Sequence, residues 1–541
     1  MKQFLNENVT GIHGLAGSAV KLALLVIAAF LVSMPARASM ISVYVGQAAA
    51  GSGDGSSCAN QKAVSFFNTS ANWGSGTSQI GPGTTVHVCG VITTQLTTQA
   101  SGINGNPIII QWESGASVQV CSSTGAFQMP GGSWIVVDLG GNSAAVVCPN
   151  NGDGLSQTIS NVVGISDGFG SGMSNIEIRN GTIGPLYIKD GANFNNGNGT
   201  SANGIYLAGG TTNHFHDLTI TDTARGILDA INGTSTNDEI DHNSISRSGA
   251  GIYYACSGGS CTSNNAKIHA NDFTVGFNWG TAGDFTHMES IHIFSNGAGS
   301  SINNIFIYDN NTHGNWPVVG GTAAYFVEQA QAGTSNGTQS GYIFNNICTM
   351  TSGHPGDGCI FLSRNNNTFG VYNNVNDCIS NISTTGMEFD ANAGNVFDFK
   401  NNIVMNCSTQ IYTPGSAGTL TGDKNIYFNV GSGGWNWHDT PLTFAAWKTQ
   451  SGADANSASA NPGLNSDYTI ASTSSLAYQL GMNLTSLSIT QLAITKPLKV
   501  GAGNSGVTGS VRSAAGNWAA GTYTVTVQVN APSSLIVTSI Q

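Results

Sequence analysis

The sequence predicts an all-β fold, a β-helix (β-solenoid), from three observations: a fixed residue period, strand-and-turn runs within it, and a composition poor in charge. Asn345, Asn373, Asn401 and Asn429 each stand 28 residues after the last. Each ends a short β-rich run, of which Gly341-Tyr342-Ile343-Phe344-Asn345 is typical. The same interval separates Asn243 from Asn271, after Glu239-Ile240-Asp241-His242 and Lys267-Ile268-His269-Ala270. A fixed period of this size marks a repeat architecture in which each unit buries its apolar face only against its neighbours. No helical periodicity lies between the runs, so the unit is strand and turn. The four asparagines are expected to superpose as rungs on one edge, about 4.8 Å apart. There Asn tolerates a left-handed turn and can hydrogen-bond to its copies above and below. Charged residues make up 8% of the chain, against about 25% in ordinary globular proteins. Stacked like charges repel, so a solenoid dilutes them, while 40% apolar content supplies a core and argues against disorder.

Residues 1–38 read as a signal peptide: Lys21 precedes the apolar run 22–32, and Ala36-Arg37-Ala38 gives a small-x-small cleavage site. The run is short for a bilayer and no other follows, so the mature chain is expected to be exported, without a membrane span. Residues 39–541 hold 13 basic and 27 acidic residues, a net charge of −14, which disfavours nucleic acid as a partner. All ten cysteines lie in this part, and an even count in an exported chain predicts disulfides. Cys256 and Cys261 close a small glycine loop, and Cys58 with Cys89 and Cys121 with Cys148 are further candidate pairs. Zinc would want CxxC spacing, which is absent.

Opening strands occupy 39–150, among them Val43-Tyr44-Val45 and Ser133-Trp134-Ile135-Val136-Val137-Asp138. The regular coils run from about 170 to 430. Each adds a second strand introduced by a small residue, as in Gly204-Ile205-Tyr206-Leu207, Gly251-Ile252-Tyr253-Tyr254, Ser290-Ile291-His292-Ile293 and Gly386-Met387-Glu388-Phe389. Asn271 to Asn310 is 39 residues and Asn310 to Asn345 is 35, so those coils carry insertions. Insertions become loops on one face, where binding sites are built. Trp435, Trp437 and Trp447, with Phe444, are placed to cover the last coil. The division expected is a β-helix over 39–480, including its cap, and a tail over 481–541 that packs on or follows it.

Tyr44-Val45-Gly46, Gly81-Pro82-Gly83-Thr84-Thr85-Val86 and the closing passages Asn461-Pro462-Gly463-Leu464 and Ser475-Leu476-Ala477-Tyr478-Gln479-Leu480-Gly481 resemble exported right-handed parallel β-helix proteins of the pectate-lyase-like superfamily. The resemblance implies that fold over nearly the whole mature chain. It leaves the activity open among lyases, hydrolases, esterases and adhesins.

The densest chemistry lies in the longest inserted coil, Asp284-Phe285-Thr286-His287-Met288-Glu289-Ser290-Ile291-His292-Ile293. This passage resembles an "HHDGIHIF" stretch of some exported β-helix proteins, with Glu289-Ser290 replacing Asp-Gly. Alternation sets His292 opposite the core residues Ile291 and Ile293, so it is expected to be exposed. Asp284, His287, Glu289 and His292 are expected to converge with Glu328 as the catalytic group. Tyr206, Arg225, Arg247, Tyr253, Asp309 and Trp316 are the candidate substrate-binding residues. A hydrolase would draw its two carboxylates from this set. A lyase would need a basic residue and a cation, with Ca²⁺ as the one cofactor considered; no metal ligands are assigned. Arg residues on a solenoid also pair with local acids such as Asp222. The expected partner is an extracellular polysaccharide, bound and cleaved by a monomer. A non-catalytic adhesive rod of the same fold is the alternative.

Overall fold

The computed structural model describes residues 41–524 apart from 150, 152–160, 171, 187–188, 191–192, 195–201, 257–259, 276–288, 298, 315–321, 330–336, 351–357, 365–366, 380–383, 391 and 416–417. The chain divides at Ile41; the expected signal peptide, 1–38, lies outside the described residues. Nearly every strand from Ser42 onward joins one sheet whose pairings are parallel and link each coil to the next, apart from the antiparallel pair Gly434–Trp437 and Thr440–Leu442. Eight strands carry one continuous face: β1 (Asn203–Leu207), β2 (His214–Ile231), β3 (Ser244–Cys256), β4 (Glu289–Ser295), β5 (Ala323–Gln329), β6 (Gly358–Leu362), β7 (Thr385–Phe389) and β8 (Thr409–Thr413). Ile205, Ile227, Ile252, Ile291, Tyr325, Ile360, Met387 and Ile411 align inward along them, and all are fully buried.

The asparagine register differs from the expected one. Phe344, Tyr372 and Lys400 pair in turn, so Asn345, Asn373 and Asn401 do stack. Lys400 then pairs with Asp423, so the next turn residue is Lys424, not Asn429. That coil is only 23 residues long, and Asn429 belongs to another corner, where it donates to Asn406 Oδ1 at 2.8 Å. In earlier coils the same turn is made by Asp217, His242, Ala270 and Asp309, with φ of +52° to +58°. The turn needs a left-handed backbone and accepts several residue types.

Asn243 and Asn271 stand one position further on, in a buried column continued by Asn310, Asn346, Asn374, Asn402 and Asn425. Asn271 Nδ2 donates to Asn310 Oδ1 at 3.0 Å and to Ile240 O at 2.9 Å, and Asn271 N donates to the same Asn310 oxygen at 3.0 Å. The pattern repeats to Asn346, Asn374, Asn402 and Asn425. Both amide protons and both oxygen lone pairs of an internal rung are thereby used, which a buried amide requires. The ladder ends on Asp454, which accepts from Asn425 Nδ2 at 2.8 Å, Tyr427 OH at 2.7 Å and Trp447 Nε1 at 2.8 Å.

Trp447 lies on helix α1 (Phe444–Ser451), whose N-cap Thr443 accepts from Ala446 N. Trp435 stacks on Phe444 at 4.7 Å and Trp437 packs on Trp447 at 5.6 Å, closing the last coil. The chain beyond runs back along the left-handed corner. Met482 N donates to Asn401 Oδ1, Asn345 Nδ2 donates to Ile494 O, Gly501 N donates to Ala270 O and Gly503 N donates to Asp217 Oδ1, all at 2.8–3.0 Å. Cys58–Cys89, Cys121–Cys148 and Cys256–Cys261 are bonded as the sequence suggested, together with Cys348–Cys359 and Cys378–Cys407. Five disulfides fit an extracellular protein, and no helix among the described residues is long and apolar enough to cross a membrane.

Asn374→Ala is expected to cost about 3 kcal/mol, because it leaves buried backbone and amide groups of adjacent coils unpaired. Asn373→Gly, one residue away in the left-handed turn, should cost under about 1 kcal/mol. Denaturant midpoints of the two variants check this; equal losses would refute the ladder's role.

Candidate active site

The strands β1–β8 stack their outward positions as strictly as their inward ones. Tyr206, Leu228, Tyr253, His292, Phe326, Phe361, Glu388 and Tyr412 form one column along the face. His292 therefore points away from the core, yet it is only 2% exposed. The expectation of an exposed His292 is corrected by its neighbours. Tyr253 meets its ring edge-on at 4.6 Å from the coil before, and Phe326 covers it at 4.7 Å from the coil after. Coils only one strand spacing apart bring such rings into contact.

Three candidates converge around that imidazole. Glu289 Oε2 lies 3.9 Å from Nδ1 and Glu328 Oε2 lies 3.4 Å from Nε2. Arg364 Nη2 closes the row, 3.0 Å from the other Glu328 oxygen. Burial pushes the Glu289 carboxyl well above the usual carboxylate range, and the negative charge of Glu328 adds to the rise. Arg225 and a hydrogen bond with Thr322 pull the other way. Arg225 also sits over the Tyr253 ring at 4.9 Å. Burial raises the Tyr253 phenol to about 12 against the pull of Arg225, with both glutamates adding to the rise. The two carboxyls thus differ in state: Glu289 favours its neutral acid form, while Glu328 is ion-paired.

The remaining candidates fall elsewhere. Tyr206 shares the outward column three coils before His292, against Phe169 at 4.5 Å. Arg247 turns a different corner, ion-paired with Asp222. Asp309 is not on this face. It occupies the left-handed corner beneath the returning tail, where Lys496 Nζ donates to its carbonyl at 2.6 Å and burial raises its carboxyl to about 7. Asp284, His287 and Trp316 lie outside the described residues. Phe326, Phe361 and Arg364 were not among the candidates. The signal for Phe361 lay in alternation, with Ile360 inward and Phe361 outward, because the leading small residues Ser290 and Gly358 are offset by one register position. Among the described residues no group of three or more His, Cys, Asp or Glu side chains is arranged to hold a metal ion.

No family model matches the sequence, and no curated protein is similar to it. Solved structures align with it at TM-scores below 0.5. A mannuronic acid specific polysaccharide family 6 lyase from human gut microbiota is 13% identical at a TM-score of 0.41, over 79% of this chain and 88% of that one. DFA-IIIase from Arthrobacter chlorophenolicus A6 is 12% identical at 0.35, over 68% and 87%. Pectate lyase Pel9A is 13% identical at 0.31, over 70% and 79%. The parallel pairing of each coil with the next makes the fold a parallel β-helix.

A second ionisable cluster sits on the strands that lead into the left-handed corner. His216 bonds Glu177 at 3.2 Å and Asp217 at 3.0 Å, His269 bonds Glu239 at 2.9 Å, and Asp241 links His214 at 2.5 Å to His242. Neighbouring coils bring these side chains together, so they read as a belt between rungs. The His216 and His269 hydrogen bonds hold Glu177 and Glu239 down at about 2. Burial alone would lower His216, but its two carboxylate bonds outweigh that and raise it. Carboxyls depressed below their unfolded value stabilise fully above about pH 4.5 and lose that contribution as pH falls toward 2. A raised imidazole stabilises below about pH 6.5 and loses its contribution as pH rises through its folded value. The contribution of this cluster to stability should therefore be greatest at about pH 4.5–6.5, and Glu177→Gln should flatten both of its limbs, since it removes a partner of His216. Unfolding midpoints measured across pH check this.

Proposed function

We propose that the chain binds a polysaccharide along the β1–β8 face and hydrolyses it at Glu289 and Glu328. One observation carries the reading: two carboxyls on opposite sides of His292, one favouring the protonated form and the other ion-paired. Pairs whose surroundings drive their protonation apart are suited to be acid and base. Glu289 gives its proton to the glycosidic oxygen as the C–O bond breaks. Glu328, as carboxylate, takes a proton from the water that forms the new bond at the anomeric carbon. Proton exchange with solvent restores both groups. His292 contacts both carboxyls and acts as a positioning residue, and Arg364 keeps Glu328 charged. The half-exposed rings of Tyr253 and Phe361 offer stacking surfaces for sugar on either side of His292.

Elimination would call for a basic group poised over a uronate and a cation on its carboxylate. The central pair here is acidic, which favours hydrolysis. A non-catalytic carbohydrate-binding rod would need neither the neutral acid nor its charged partner.

Glu289→Gln and Glu328→Gln should each lower kcat by about 10²- to 10⁴-fold with the unfolding midpoint retained. New reducing ends should appear without the absorbance of unsaturated uronates. Unsaturated products would establish elimination instead, and polysaccharide binding without cleavage would establish the adhesive alternative.

A further inference from the structure

We infer that the polysaccharide taken by this face is uncharged, a neutral glycan and not a polyuronate. The inference rests on the hydrolytic reading above and adds the substrate's charge class. Between Lys267 and Lys400 the sequence holds ten Asp and Glu but a single Lys or Arg, Arg364. That stretch supplies β4, β5, β6 and β7 and every segment that joins them, so the count holds wherever those joining segments lie. Arg364 is engaged with Glu328 at 3.0 Å. Arg225, arriving on β2, lies over Tyr253 and acts on Glu289. Lys267 and Lys400 are on other strands, 3.4 Å from Glu239 and 2.7 Å from Asp398.

A polyuronate brings one carboxylate per ring, and each loses hydration as it enters a groove unless a cation meets it. Here those carboxylates would approach Glu328 and Glu388, which occupy adjacent outward columns, with Asp390 two coils beyond Glu328. A chain of net charge −12 adds longer-range repulsion. What the face offers instead is aromatic. Tyr206, Tyr253, Phe361 and Tyr412, all partly exposed, recur along one column, with the buried Phe326 stacked against Phe361 at 5.0 Å. Neutral sugar rings, with apolar faces and hydroxyl edges, suit such a surface without any charge to offset.

The test compares polymers in matched pairs: several polyuronates of different sugars and the same polymers with their carboxyls reduced to hydroxymethyl groups. The full chain, with its disulfides formed, is assayed for binding and for reducing ends, with and without added Ca²⁺. At least one reduced, neutral member should be cleaved, with kcat/KM about tenfold or more above its charged counterpart, and Glu289→Gln should abolish that cleavage. Cleavage of a polyuronate as well as or better than its reduced form, still lost in Glu289→Gln, would overturn the charge inference while leaving the active site standing. Cleavage of neither class, or cleavage indifferent to Glu289→Gln, would defeat the active-site reading and this inference with it.

Discussion

The amide ladder from Asn243 to Asn425 is the constraint from which the rest of the structure follows. A side chain that must both give to and receive from its copy in the next coil admits only one register. A slip by one residue would bury amide groups without partners, at a cost no apolar contact in the coil could offset. Hydrophobic stacking of Ile227, Ile252 and Ile291 supplies much of the driving force, but Ile tolerates small offsets and an amide does not. The fixed register then dictates every other column, including the outward one that holds His292.

The chemistry of the candidate site follows from the same stacking. An outward side chain on a solenoid does not project freely into water, because its counterparts stand one strand spacing away on both sides. His292 is enclosed by Tyr253 and Phe326 for this reason, and Glu289 loses enough hydration to favour its acid form. Glu328 is instead ion-paired with Arg364. Two residues of one chemical type thereby stand in opposite electrostatic surroundings, with position along the stack deciding between them.

The repeat, the core positions and three disulfides were legible because each leaves a local mark: alternation, a small residue before each second strand, or a short loop between cysteines. The ladder was misread by one residue for an equally local reason. Later coils carry doublets, Asn345-Asn346, Asn373-Asn374 and Asn401-Asn402, while earlier ones read His242-Asn243, Ala270-Asn271 and Asp309-Asn310. A period cannot separate two adjacent columns, and one shortened coil let Asn429 keep step with the wrong one. At the candidate site, the outward setting of His292 and Glu328 follows from strand alternation, whereas alternation alone would set Glu289 on the side of the inward Ile291. Asp309 could not be placed, since what buries it is Lys496, 187 residues away. Enclosure of His292 depended on which rings stood above and below, and that required the register.

The returning tail changes how such a molecule responds to load and to heat. A plain solenoid is a chain of nearest-neighbour links, so it can fray from either end one coil at a time. Here Gly503 is bonded to Asp217 across 286 residues of sequence, and Met482 to Asn401 on the way. Coils that never touch are thereby lashed in series, and peeling any one of them strains a tether shared by the others. Loss of order becomes more nearly all-or-none than the repeat alone would allow. The tail can also dock only on coils that already exist, so this lashing is completed last, after the rod it secures has formed.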